Sequence, residues 1–223
     1  MTTTLKPPPD RLYGRSKGKK LRARQEWLLA EFLPQVSWPE IPFGNAPREL
    51  WLEVGFGGGE HAFELAGQNS DVGYIAAEVF ENGICSLLSK IAPDGVEAPA
   101  VPANLRLYTD DARPLLKSFA EGALSRLFLM FPDPWPKARH TKRRFVHPEI
   151  VAEAARAIRT GGQWRIASDD PTYQDWTDEV LTGQNFFDVK RETEHPEGWP
   201  HTRYEAKAIA AGRVPVYWTL TRR

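Results

Sequence analysis

The 223-residue sequence has one cysteine, Cys85, so no disulfide can close within the chain and a reducing compartment is expected. It has no run near the roughly 18 apolar residues of a membrane span. Its first residues, "MTTTLKPPPD", lack the apolar stretch of a secretory leader. A cytoplasmic protein without a membrane partner is therefore expected. Five histidines, at positions 61, 140, 147, 195 and 201, show no metal-ligand spacing, and no metal is expected. Net charge is also lacking, with 29 basic against 29 acidic residues. That balance conceals segregation. Residues 1–24 hold eight Lys or Arg and one Asp (8 − 1 = +7), which leaves 21 basic and 28 acidic residues (−7) for the rest. A basic arm on an acidic body suits an anionic partner. No large apolar surface stripe stands out, so a monomer is expected.

What is present reads as one globular α/β domain, 37–223, preceded by a basic arm and helix, 1–36. "KLRARQEWLLAEFLPQV" (20–36) has helical spacing, and the Pro-rich stretch 37–49 reads as a linker. Strand patterns then fall at 49–54, 72–79, 104–109, 124–131, 163–168, 186–192 and 214–221. Helical patterns lie between them at 59–69, 81–91, 112–120, 148–159 and 171–181, with a short one at 203–211. Gly161 and Gly162 are expected to stop the helix at 148–159. The alternation implies a mostly parallel seven-stranded sheet with helices on both faces. The last two strands break the alternation and imply an antiparallel end.

"WLEVGFGGGEHAF" (51–63) puts Gly55, Gly57 and Gly59 at the first strand-to-helix turn, on the sheet edge where such folds bind ligands. Glu60 stands where the dinucleotide fingerprint needs its third glycine. Acids end the strands: Glu53 the first, Glu78 the second, Asp110 and Asp111 the third. Glu78 follows Gly55 by 23 residues, close to the ~20-residue spacing of a ribose-binding acid. Three acidic strand ends repel a pyrophosphate. They suit a cationic cofactor with a ribose and a neutral base, a description that S-adenosylmethionine meets.

The fourth strand ends in "FPDPWPKARHTKRRF" (131–145), where Asp133 is held between two prolines. Five Lys or Arg follow in the eight positions from Lys137 to Arg144 (Lys137, Arg139, Lys142, Arg143, Arg144), a pattern suited to nucleic-acid phosphates. Trp135 is placed either to stack on a base or to pack against the protein. "HTRYEAKA" (201–208) has Thr202 and Glu205 in capping-box register.

With these segments together, the chain resembles the bacterial tRNA (guanine-N7)-methyltransferases. "LEVGFGGGE", "AAEVFENG", "NLRLYTDDA", "FPDPWPKARHTKRRF", "ASDD" and "TRYEAKA" match in order over residues 52–208. The resemblance implies a Rossmann-like fold dependent on S-adenosylmethionine, with tRNA as partner and guanosine 46 of the variable loop as target. It also implies that Glu53, Glu78, Asp111 and Asp133 contact the cofactor, with Asp133 in addition catalytic. By the same resemblance, Lys137, Asp169, Thr202, Arg203, Tyr204 and Glu205 meet tRNA. Methylation of an exocyclic base amine, a non-catalytic RNA-binding role and a nicotinamide dehydrogenase are the competing readings. The basic run and "TRYEAKA" oppose the first, the intact acids and glycine turn the second, and Glu60 the third.

Overall fold

The computed structural model describes residues 16–44, 46–96 and 99–223, so most of the basic arm lies outside the described residues. The first helical pattern is realised in three parts. α1 (Ala23–Trp27) widens into a π-helical segment (Leu28–Phe32) and tightens into a 3₁₀ turn (Leu33–Gln35). Pro34 supplies the reason, since it cannot donate to a carbonyl of the preceding turn. The following stretch lies along the edge of the sheet, where Trp38 N–H donates to Leu107 O at 2.8 Å. Arg106 holds it there through the carbonyls of Ile41 and Pro42.

From Glu49 onward strands and helices alternate: β1 (Glu49–Val54), α2 (Glu60–Gln68), β2 (Val72–Ala77), α3 (Glu81–Ile91), β3 (Leu105–Tyr108), α4 (Ala112–Ser118) and β4 (Leu124–Met130). α5 (Pro148–Ala157), β5 (Ile158–Ser168), α6 (Pro171–Thr182), β6 (Phe187–Glu192), α7 (Arg203–Ala210) and β7 (Val216–Arg222) follow. The seven strands form one sheet in the order β3-β2-β1-β4-β5-β7-β6. β1 to β5 are parallel, and β7 runs antiparallel between β5 and β6. This is the expected sheet with its antiparallel end.

The largest boundary difference lies between α5 and β5. Gly161 and Gly162 do not stop α5, because Ile158 is already extended and belongs to β5. The glycines lie where β5 slips register against β4, between the pairs Leu124–Ile158 and Arg126–Gln163. Gly161 takes φ +76°, and a Cβ on Gly162 would come within 2.9 Å of Ser125 O. The pair therefore permits a bulge rather than a helix end.

Period-two alternation divides the core. On β1, Leu52 and Val54 join Leu127, Ile166, Ile150 and Trp176 on one face. Trp51 joins Tyr74, Phe128, Leu65 and Leu88 on the other. Covering both faces leaves the carboxyl ends of the parallel strands as the open edge. The strand order reverses there between β1 and β4, where doubly wound sheets open a crevice.

Candidate active site

The crevice is a cavity of about 430 Å³, within the range of small-molecule sites. Each parallel strand from β1 to β4 contributes its carboxyl end. Gly55 and Gly57 follow β1, Glu78 to Phe80 follow β2, Asp110 and Asp111 follow β3, and Phe131 to Asp133 with Trp135 follow β4. Tyr204 from α7 and Arg143 from the basic loop close the sides.

The glycine turn is built by its backbone. Gly55 takes φ +73° and a Cβ there would meet nothing within 4 Å, so the turn leaves open space at this point. Gly57 takes φ +58°, and its N–H donates to Glu78 Oε2 at 2.8 Å. The other oxygen of Glu78 accepts from Val79 and Phe80 N–H. Burial pushes the Glu78 carboxyl upward, the three N–H bonds pull against it, and the nearby Asp133 charge raises it further. Gly59 takes φ +75° and stands behind the turn, where a Cβ would come within 2.6 Å of Leu87.

The acids separate into distinct roles. Glu53, 1% exposed, stands behind the cavity wall and not in it. Tyr74 donates to its Oε2 at 2.6 Å, while His61 Nδ1 lies 3.0 Å away without hydrogen-bond alignment. Asp111 lines the cavity, caps α4 by accepting from Arg113 N–H, and pairs with the Arg113 guanidinium at 3.1 Å. Asp133 is the exposed acid on the cavity wall after β4.

The turn around Asp133 is strained on both sides. Phe131 has φ 52° and Trp135 has φ 45°, both in the left-handed region that bulky residues avoid. Each such residue costs of order 1–3 kcal/mol. Arg144 holds the turn: it is 4% exposed, and its guanidinium donates to Pro134 O at 3.0 Å and Trp135 O at 3.1 Å. Hydrogen bonds from a charged donor contribute about 1.5–3 kcal/mol each, enough to offset the strain. The expectation that Arg144 meets phosphate is thereby corrected, since it is buried and committed to carbonyls. Arg143 lies 4.7 Å over Trp135, which also meets His140 edge-on. Lys137, Arg139 and Lys142 are exposed.

Of the other expected residues, Tyr204 reaches the cavity, and a Cβ on Gly57 would come within 2.8 Å of its hydroxyl. Arg203 lies beside it, its guanidinium 5.1 Å from the Tyr204 ring. Thr202 and Glu205 are buried and form the capping box of α7. Asp169 follows β5 and pairs with Arg213 at 2.6 Å, outside the cavity lining. Sequence reasoning missed Arg113, the bracing role of Arg144, and the meeting of His195, His201 and Glu205. The neighbouring "DDAR" signalled the first. The other two depend on tertiary packing.

The cavity fits S-adenosylmethionine by its chemistry: open space beside the backbone at Gly55, where no Cβ stands in the way, and the carboxylates of Glu78, Asp110, Asp111 and Asp133 for a cation and hydroxyls. A family profile described as "Putative methyltransferase" matches residues 47–217. A tRNA (guanine-N(7)-)-methyltransferase of Granulibacter bethesdensis is 56% identical, with 99% of this chain and 98% of that protein covered. One of Paramagnetospirillum magneticum is 42% identical, covering 96% and 93%. Among solved structures, an antibiotic-related methyltransferase superposes with a TM-score of 0.57 at 13% identity, covering 93% of this chain and 98% of that one. An rRNA methylase from Streptococcus thermophilus gives 0.53 at 16% identity, covering 91% and 99%. These two show the fold alone.

Proposed function

The chain belongs to the tRNA (guanine-N(7)-)-methyltransferase family, and from that membership we propose how its cavity works and which base it modifies. The protein transfers a methyl group from S-adenosylmethionine to N7 of guanine in tRNA, and guanosine 46 of the variable loop is the proposed target. The observation that carries the mechanism is Asp133, an exposed carboxylate held at the cavity by a strained, Arg144-braced turn.

S-adenosylmethionine supplies, when bound, an activated methyl group on a sulfonium. Gly55, Gly57, Glu78, Asp111 and Asp133 would hold it. Glu53 and Gly59 support the wall from behind, the first through Tyr74 and the second by letting Leu87 approach the turn. Guanine N7 has an in-plane lone pair and no proton, so no general base is needed. Alignment of nucleophile and methyl carbon contributes up to about 7–11 kcal/mol. Positive charge develops on the base as the bond forms, and a fixed carboxylate stabilises it. Asp133 takes that role. Lys137, Arg203 and Tyr204 are assigned to tRNA contact, with Thr202 and Glu205 setting the start of α7 and Asp169 holding Arg213 at the same edge.

The test is Asp133→Ala with separate measurements of turnover and cofactor affinity. Turnover should fall by orders of magnitude, far more than cofactor affinity does. Equal losses would reduce Asp133 to a cofactor ligand.

A further inference from the structure

The loop before α7 brings His195, His201 and Glu205 together. Glu205 is 3% exposed and accepts on every side. Its Oε1 takes the Tyr217 hydroxyl and lies 2.6 Å from His195 Nδ1. Its Oε2 takes Thr202 N–H at 3.3 Å and lies 3.0 Å from His201 Nδ1. Burial pushes the Glu205 carboxyl upward, but the bonds from Tyr217, His195 and His201 outweigh this and hold it below the usual carboxylate range. It is therefore ionised and has no proton to give.

His195 bridges two acceptors: its Nδ1 lies 2.6 Å from the Glu205 carboxylate and its Nε2 lies 2.8 Å from Trp199 O. His201 stacks on it at 3.9 Å and 22°. The near-parallel rings speak against a shared metal ion, which would have to lie in both ring planes at about 2 Å from each nitrogen. The titratable and charged groups facing His195 are Glu205 on α7, His201 in the same loop and Tyr217 on β7. Arg165 on β5 approaches only across Trp199, 5.2 Å from that ring.

Glu205 is the C-terminal half of the capping box that starts α7, and the box contains Arg203 and Tyr204. We propose that His195 is a positioning residue: its ring, held on the Trp199 carbonyl, fixes Glu205 and through it sets the first turn of α7 so that Arg203 and Tyr204 meet tRNA beside the cavity. The proposal rests on the assignment of that turn to tRNA.

Equilibrium tRNA binding tests this for the wild type, His195→Ala and His195→Gln, with S-adenosylmethionine affinity measured beside it. His195→Ala should bind tRNA about tenfold more weakly with cofactor affinity unchanged. His195→Gln, whose amide can still donate to Glu205, should recover most of the tRNA affinity. Wild-type tRNA affinity in His195→Ala, or equal losses in both variants, overturns the proposal. These readouts need no turnover, so an absence of 7-methylguanosine would strike the proposed reaction separately.

Discussion

Gly83 on α3 carries the sharpest structural prediction. A Cβ at this position would lie 2.4 Å from the carbonyl oxygen of Gly57, and the obstacle is backbone, which cannot rotate aside. Reaching even a tight contact near 3.0 Å requires a shift of several tenths of an ångström between α3 and the glycine turn. That shift acts on Gly57, the residue whose N–H donates to Glu78 and which borders the cavity. Overpacking of this kind costs about 1–3 kcal/mol, against about 1 kcal/mol gained from helix propensity. Gly83→Ala should leave the fold within about 2 kcal/mol of wild type and weaken S-adenosylmethionine binding about tenfold, as read by calorimetry. Gly67→Ala on α2 is the control, since its Cβ would meet nothing within 4 Å. It should stabilise by up to about 1 kcal/mol and leave affinity unchanged. Wild-type affinity in Gly83→Ala would refute the close packing of α3 on the turn.

Lys137→Ala should weaken tRNA binding and reduce the slope of log affinity against log salt by about 0.7–0.9, without changing cofactor affinity. Arg144→Met should instead cost turnover and melting temperature together, because it releases the carbonyls of Pro134 and Trp135. Arg113→Met leaves Asp111 buried without its cation and should destabilise by about 3 kcal/mol in denaturant titration. Glu205 has a folded pKa below its ordinary 4.5, so its contribution to stability is present above that pH and is lost as pH falls below it. Glu205→Gln should remove that part of the acid dependence of the melting temperature; an unchanged acid limb would contradict it.

Local pattern made much of this legible. Period-two strands, capped helices and glycine at a strand end survive folding unchanged, and Glu78 is found by its distance from Gly55. Arg144 was not legible because it sits in a run of like charges, and only the carbonyls of a turn ten residues back decide that it is buried. Glu53 reads like the other strand-end acids, yet its direction across the sheet sends it to Tyr74. Asp111 announces its cap through the residue two positions on. His195 and His201 belong to no metal spacing, and only the fold of their loop places both on one carboxylate.

The most direct test of the central claim is product analysis. The protein is incubated with methyl-labelled S-adenosylmethionine and tRNA lacking 7-methylguanosine, the RNA is digested, and the nucleosides are separated. Label should appear in 7-methylguanosine, map to guanosine 46, and vanish with Asp133→Ala. Label in another nucleoside would contradict the assigned target atom, and tRNA binding without label would contradict catalysis itself.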